Sequence, residues 1–418
     1  MSTIRIARRA ALGGLLGGVV AAVGGRRAWT QAKPIQIGLV QSASGPQGYV
    51  GTSHIQGAQI AVKQINESGG IDGRPIDLVV RDVKLNPNEA LGAVREFAGS
   101  GINLVIGDFS SGTDIAVYPI IPSLNMVYVV PTVIAMEMTH DLYNRNCFRA
   151  GPNAYMQLRS EGVVVARHYP DMKRWGAVLA DSVGLRTSQS FIYYGLKASY
   201  AQQGKQVEFM EPVLVKIGST DFRDQAAQLV AQKLDGMVLG DGGGEALNFL
   251  QQATGFGLIK SLGAIADPSL FMVGKAMKKQ TPKNFWTGCL WLYDAFKQYP
   301  MVREFNQLAM GETKTSLVDP FLAQAHVAVT AMAAGVRSAK STATEAVISA
   351  LETTTFDTVI GPTKFRAEDH QLYFDVGFVR LGPDDSEAGW KIYDYVPVKA
   401  TDAMEPASPG KKFVLPTL

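Results

Sequence analysis

Apolar positions along the first part of the chain change repeatedly between the spacing of buried strands and the spacing of amphipathic helices. This pattern predicts strands over residues 34–40, 76–82 and 102–108, with helices over 55–65 and 88–97 between them. A strand followed by a helix and a second strand is typical of parallel βαβ units. The pattern therefore predicts a doubly wound α/β sheet.

The same alternation begins again after about sixty residues of weaker pattern. It predicts strands and helices in turn over residues 175–181, 187–202, 207–215, 222–232, 235–240 and 245–254. A second series of this length indicates a second α/β lobe, and residues 319–338 read as one more packed helix. Ligands of such sheets bind beyond the carboxyl ends of the strands, which nominates the loops at 45–51, 108–112, 181–184 and 240–244.

The first 32 residues have the layout of an export signal. Arg5, Arg8 and Arg9 precede a charge-free run of small and apolar residues from 10 to 25, and a small-residue stretch ends at Ala32. The adjacent pair Arg8–Arg9 partly matches a twin-arginine signal, although the flanking residues are alanines. We therefore expect residues 1–32 to be a signal peptide and the mature protein to lie in the periplasm. A start codon placed too far upstream is the alternative.

Composition and charge exclude several classes of function. The chain has 418 residues, 46% hydrophobic and 18% charged, and removal of the five arginines of the signal changes the net charge from +3 to −2. Basic residues form no stripe, so we expect no nucleic-acid partner. The five histidines are scattered, no Gly-x-Ser-x-Gly elbow occurs, and the segment 240–244 fits neither a dinucleotide fingerprint nor a phosphate loop. We therefore expect no enzyme, no cofactor and no metal site.

Several short motifs resemble those of periplasmic solute-binding proteins of the branched-chain amino acid (Leu/Ile/Val) type, the receptors of ABC importers. The most specific motif spans residues 65–82 and reads INESGGIDGRPIDLVVRD. Others occur in the same order as in that family, at 37–40, 44–46, 57–62, 103–112, 147–149, 360–365 and 369–371. Each motif is short, but together they extend along most of the mature chain.

The resemblance implies a type I periplasmic binding protein, in which two doubly wound parallel-sheet lobes are joined by three crossover strands. Lobe 1 would be residues 34–146 plus 290–361, lobe 2 residues 147–289 plus 362–395, and residues 396–418 an extended C-terminal tail. The implied function is capture of a small organic solute between the lobes, by a monomer that delivers it to membrane permease subunits. The alternative is a ligand sensor of the amide-receptor type that regulates a partner protein.

The resemblance also nominates ligand-binding residues in lobe 1. Ser110 and Ser111 follow the third strand, where the family binds a ligand carboxylate, although Ser at that place is also a common helix cap. Thr132 and Ile134 occupy the loop after the next strand. Tyr49 and Val50 lie in the first loop, where the family places an aromatic contact, and a surface aromatic is the alternative.

Lobe 2 departs from the amino-acid-binding pattern. Val183, beside Asp181, stands where the family often has Tyr, and Asp241 stands where an aromatic residue is expected. Either Asp241 or Asp267 receives a ligand ammonium, or the ligand is a carboxylate compound without an amine; Asp241 also fits a helix N-terminal acid. Cys147 and Cys289 fall near the implied crossovers, so a disulfide between them stays open.

Overall fold

A parallel five-stranded sheet forms the core of lobe 1 in the computed structural model, which describes residues 33–45, 47–240, 244–270, 276–315 and 317–418. The strands lie in the order β2-β1-β3-β4-β5. Their bounds are β1 Ile35–Gln41, β2 Ile76–Asp82, β3 Leu104–Ile106, β4 Val127–Val130 and β5 Cys147–Arg149. The predicted strands at 34–40, 76–82 and 102–108 are thus confirmed. The apolar residues of β1 and β3 are buried on both faces of the sheet, whereas most residues of the edge strand β2 are partly exposed.

The larger sheet of lobe 2 is mostly parallel, with an antiparallel edge. Its order is β15-β14-β11-β10-β9-β6-β7, and β8 also pairs with β6. The strands run over β6 Arg174–Ala180, β7 Glu208–Phe209, β8 Val213–Val215, β9 Gly236–Gly240, β10 Ala264–Asp267, β11 Phe285–Cys289, β14 Val376–Pro383 and β15 Trp390–Val398. A separate hairpin pairs β12 Phe356–Thr358 with β13 Gly361–Thr363.

Helices cover both sheets, as expected for doubly wound lobes. Their bounds are α1 Gly48–Glu67, α2 Pro87–Gly99, α3 Ser111–Val117, α4 Ser160–His168, α5 Val183–Gln202, α6 Arg223–Ala231, α7 Gly244–Gly255, α8 Leu258–Ser261, α9 Tyr293–Phe296, α10 Pro300–Thr313, α11 Pro320–Ala339, α12 Thr344–Thr353 and α13 Ala400–Ala403. Short 3₁₀ turns occur at 118–120, 122–124, 136–139 and 278–280, and a π-turn at 155–159. Within the described residues, no helix is long and apolar enough to span a membrane.

The chain crosses between the lobes three times, after β5, after β11 and after β13, which confirms the implied architecture. Two predicted boundaries move. β5 pairs with β4, so lobe 1 continues to Arg149 instead of ending at residue 146. Residues 396–398 still belong to β15, so the C-terminal tail begins after the edge strand of lobe 2.

Local structure differs from the sequence pattern at the start of α1. The helix begins at Gly48, whereas the pattern predicted a loop through Gly51 and a helix from residue 55. A β-carbon on Gly51 would lie 2.2 Å from the backbone oxygen of Ser42, and one on Gly57 would lie 2.0 Å from that of Leu322. Glycine therefore allows this helix to approach both neighbouring segments. Because glycine has a low helix propensity, the sequence pattern did not predict a helix over these first turns.

The predicted strand over 207–215 is broken in two. β7 and β8 each pair with β6. The backbone N–H of Met210 still donates to the Trp175 carbonyl oxygen at 2.8 Å, and residues 211–212 leave the ladder. Pro212 has no backbone N–H to donate, which accounts for the break.

Candidate functional site

A cavity of about 520 Å³ lies between the lobes and is lined by both of them and by the C-terminal segment, residues 404–418. Lobe 1 contributes residues of α3 and the loop after β4. Lobe 2 contributes the first turns of α5. The lining residues are Ser111, Ile115, Ile134, Ala135, Met136, Glu137, Asp141, Ala154, Gly184, Thr187, Ser188, Ser190, Phe191, Lys412, Phe413 and Leu415.

Two of the predicted ligand-binding residues, Ser111 and Ile134, line this cavity. Ser111 is the first residue of α3, and Ile134 follows β4, so the ends of adjacent parallel strands bring them together. Ser110 does not line it. Its hydroxyl accepts a hydrogen bond of 3.5 Å from the backbone N–H of Thr113, which is the helix-capping role that the sequence left open.

Thr132 points its hydroxyl away from solvent and toward a buried histidine. Thr132 Oγ1 lies 3.3 Å from His54 Nε2, and His54 Nδ1 lies 3.0 Å from Gln41 Oε1. Because the side-chain carbonyl of Gln41 can only accept, Nδ1 of His54 carries the proton and Nε2 accepts from Thr132. Burial lowers the pKa of His54 to about 3, so the ring is neutral. Thr132 is thus committed to a polar network behind the cavity wall.

Two carboxyl groups missed by the sequence analysis lie behind the Ser110–Ser111 corner. Asp108 accepts hydrogen bonds from the Ser42 hydroxyl at 2.6 Å and the Ser42 amide at 2.9 Å. Asp114 accepts one from the Tyr128 hydroxyl at 2.5 Å. Burial raises the pKa of both carboxyls, and that of Asp114 is raised further by the neighbouring Asp108. These acids hold the loop after β3 against β1 and β4.

Tyr49 and Val50 do not lie in a loop, as the sequence pattern predicted. Both lie in the first turn of α1, where Val50 is 4% exposed and packs in the protein interior. Tyr49 is 40% exposed and lies outside the cavity lining. The helix begins seven residues before the predicted start, and this turns Val50 inward.

Lobe 2 places two of its predicted acids, Asp181 and Asp267, outside the cavity lining. Asp181 is exposed and forms an ion pair of 2.6 Å with Arg186. Val183 begins α5, but its side chain lies outside the described residues, as does Asp241. Asp267 ends β10, is fully buried and accepts a hydrogen bond from the Ser269 hydroxyl.

A second buried acid, Glu161 of α4, lies next to Asp267. Neither carboxyl oxygen of Glu161 has a well-formed hydrogen bond within the described part of the chain. Burial raises the pKa of Glu161 well above its usual range, the charge of Asp267 raises it further, and the Asp267 backbone opposes the shift to a smaller extent. Burial and the neighbouring Asp267 therefore disfavour the charged form of Glu161.

The disulfide that the sequence left open is not formed in this structure, where Cys147 and Cys289 are both free and buried. Cys147 belongs to the apolar cluster behind the lobe 1 sheet, and Cys289 belongs to the cluster of lobe 2. The Cys289 thiol donates instead to the Trp291 carbonyl oxygen at 3.3 Å. No group of three His, Cys, Asp or Glu side chains suited to a metal ion occurs among the described residues.

The aromatic residues of the cavity were not predicted. Phe191 lies seven residues after Gly184 on α5, which is two helical turns along the same face, so that spacing could have revealed it. Phe413 carries no such signal, because only the return of the C-terminal segment across the lobes brings it to the site.

Comparisons with known proteins agree with this architecture. A family profile described as "Periplasmic binding protein" matches residues 34–387. The leucine-, isoleucine-, valine-, threonine- and alanine-binding protein of Pseudomonas aeruginosa is 26% identical over 353 residues, which cover 82% of this chain and 89% of that protein.

Solved structures show the same fold. An amino acid ABC transporter substrate-binding protein from Pseudomonas fluorescens superposes with a TM-score of 0.76 at 21% identity, covering 88% of this chain and 96% of the other. A solute-binding protein from Rhodopseudomonas palustris, solved in complex with benzoate, superposes with a TM-score of 0.71 at 18% identity, covering 91% and 100%.

Proposed function

The chain belongs to the periplasmic binding protein family, whose members are non-enzymatic solute-binding receptors, and on that premise we propose that it captures a small organic carboxylate with an apolar or aromatic body for an ABC importer. The observation that carries this proposal is the interlobe cavity. Its volume of about 520 Å³ lies in the usual range for small-molecule sites. Its walls combine a hydroxyl, from Ser111, with the apolar side chains of Ile134 and Phe191.

The two described lobe 2 acids, Asp181 and Asp267, support a ligand without an amine. An ammonium group bound in a closed cleft needs a carboxylate beside it, because an unpaired buried charge is costly. Asp181 is paired with Arg186, and Asp267 lies buried outside the cavity lining. Glu137 and Asp141 do line the cavity, but both are solvent-exposed, where a charge pair contributes little.

The names of the relatives support both ligand classes within the same fold. The Pseudomonas aeruginosa protein is named for branched-chain and small amino acids, and the Rhodopseudomonas palustris structure holds benzoate. The aromatic lining of this cavity favours the second class.

Location and partners follow from the family and are part of the proposal. Residues 1–32, outside the described part of the chain, would direct export to the periplasm, through the twin-arginine route that Arg8–Arg9 suggests. The mature monomer would then deliver its ligand to permease subunits in the membrane.

A ligand screen on the mature protein tests the proposal. Thermal unfolding would be followed with branched and aromatic amino acids, benzoate-like acids, phenylpropanoid acids and short dicarboxylates. A ligand at about 1,000 times its dissociation constant stabilises the folded protein by about 4 kcal/mol. We expect shifts with acids that lack an amine. A shift with amino acids alone would contradict the ligand class, and no shift with any compound would contradict solute binding within this panel.

Ser111→Ala adds a test of the site itself. Loss of one hydrogen bond to a carboxylate should weaken binding by roughly tenfold or more, because such bonds contribute about 1.5–3 kcal/mol. The control is Ser349→Ala, on the exposed face of α12 and outside the cavity lining. Equal affinity of the two variants, measured by calorimetry, would remove Ser111 from the site.

A further inference from the structure

The C-terminal segment is fixed along the hinge before it reaches the cavity. The buried carboxylate of Glu405 accepts a hydrogen bond of 2.7 Å from Asn153 Nδ2, in the first crossover. The backbone oxygen of Glu405 accepts another, also 2.7 Å, from Arg366 in the third crossover. The segment therefore starts from a defined position between the lobes.

A second anchor fixes the segment to lobe 1. The backbone N–H of Gly410 donates to the His140 carbonyl oxygen at 2.7 Å. Gly410 has φ of +75°, a conformation that residues with side chains rarely adopt, so glycine suits this turn. Beyond it, exposure alternates as in an extended strand: Phe413 and Leu415 are partly buried and line the cavity, whereas Val414 is 74% exposed.

The ring of Phe413 packs on both lobes and on the first crossover. Its centroid lies 5.0 Å from that of His140 in lobe 1 and 5.8 Å from that of Phe191 in lobe 2, with the two phenyl rings stacked at 18°. Tyr155, just after the first crossover, lies 5.8 Å away. Separation of the lobes must therefore break the packing of Phe413 on one side.

From these contacts we propose that Phe413 is a ligand-contacting residue, through which the C-terminal segment supplies an aromatic wall of the interlobe site and holds the lobes together around it. The inference rests on the proposed function for its ligand, an acid with an apolar or aromatic body. Phe413 supplies an aromatic surface in the cleft, where lobe 2 has Val183 in place of the Tyr that the family often carries. Its contact with both lobes does not depend on any ligand.

Affinity measurements on matched variants test the role in binding. For the acid that binds best in the screen, Phe413→Ala should raise the dissociation constant by roughly three- to tenfold, the range of one or two aromatic contacts. Val414→Ala, which removes an outward-facing side chain from the adjacent position, should leave it unchanged. For aromatic ligands, the dissociation constant of Phe413→Leu should lie between those of Phe413→Ala and Val414→Ala. An unchanged affinity in Phe413→Ala would overturn the proposal.

A measurement without ligand separates failure of this inference from failure of the proposed function. Helices in such lobes begin at the cleft-facing ends of the strands, so spin labels at Glu89→Cys on α2 and Asp224→Cys on α6 report the separation of the lobes. Both positions are exposed, and the native cysteines are buried. If no compound binds the parent protein, the proposed function fails. The spin-label distances then decide whether Phe413 holds the lobes together. Longer distances in Phe413→Ala than in Val414→Ala support the proposal that Phe413 holds the lobes together, and identical distance distributions overturn it.

Discussion

Arg149 and Gln371 lie 222 residues apart in the chain and meet through a hydrogen bond of 2.7 Å from Nε to Oε1. The same guanidinium donates to the Ala135 carbonyl oxygen and the Thr139 hydroxyl. Gln371 in turn donates to the Gly151 carbonyl oxygen at 2.8 Å. The pair thus joins the first and third crossovers to the loop of lobe 1 that lines the cavity.

Arg149 is fully buried, and within the described residues it forms no ion pair. Burial lowers its pKa, while the charges of Glu405 and Asp369 act in the opposite direction. The charged guanidinium of Arg149 is therefore stabilised by the hydrogen-bond acceptors around it, since a buried charge without partners would be costly.

Arg149→Met should destabilise the fold by about 2–4 kcal/mol, because it leaves several buried acceptors unpaired. Urea denaturation of the mature protein measures the change. Arg81→Met is the control: Arg81 pairs with Glu96 at 2.5 Å on the surface, where such pairs contribute about 1 kcal/mol or less. Equal losses in the two variants would mean that Arg149 does not hold the hinge.

Glu161→Gln should stabilise the protein at pH 7.5 by about 1–3 kcal/mol, because it replaces a carboxyl that is buried without a good partner. The raised pKa of Glu161 fixes the sign of the pH dependence. The stability contributed by the protonated acid is full below the unfolded-state pKa of about 4.3 and is lost as pH rises through the folded-state pKa. The gain of the variant should therefore shrink toward pH 4.5.

The control for that series is Glu208→Gln, an exposed residue paired with Arg174 at 2.7 Å. Its stability should stay within about 1 kcal/mol of the parent protein. A destabilised Glu161→Gln at neutral pH would show that the carboxylate is ionised and bound by donors in solution.

His54→Gln should show the opposite dependence on pH. Burial lowers the folded-state pKa of His54 to about 3, so its stabilisation is present above the unfolded-state pKa of about 6.5 and is lost as pH falls. The stability difference between parent and variant should fall by about 2 kcal/mol from pH 7.5 to pH 5, at about 1.4 kcal/mol per pKa unit. Between pH 7.5 and 8.5 it should be constant. A difference that does not change down to pH 5 would mean that His54 is accessible to protons in the folded state.

The two cysteines should react as buried thiols. Burial raises the pKa of Cys289 to about 12 and that of Cys147 well above its usual range. A thiol reagent at pH 8 should therefore titrate neither group rapidly in the native protein and both after unfolding without reductant. Fewer than two reactive thiols in the unfolded, unreduced protein would indicate the disulfide that the sequence left open.

The fold was predictable because its information is local and repeated. Apolar runs such as residues 104–106 and 236–240 are buried on both faces of a sheet, and the helices between successive strands require parallel order. The family motifs at 147–149 and 369–371 were visible in the sequence, but their contact through Arg149 and Gln371 was not. Boundaries failed where glycine or proline changes the local structure, at Gly48–Gly51 and at Pro212.

The candidate site was predictable only in part. Ser111 and Ile134 follow strands of lobe 1, and the rule that places ligands beyond strand ends locates them. Local patterns did not reveal that Val50 is buried in the first turn of α1, that the Ser110 hydroxyl caps α3, or that the Thr132 hydroxyl lies beside His54.

The sequence by itself determined two α/β lobes of this family, since periodicity and short motifs depend on neighbouring residues. Only the tertiary structure decided that Phe413 reaches the cleft, that Glu161 and Asp267 form a buried acid pair, and that the cysteines lie in separate cores. Each of these depends on contacts between residues distant in the chain. No local pattern encodes such contacts, because they arise from the packing of whole elements against one another.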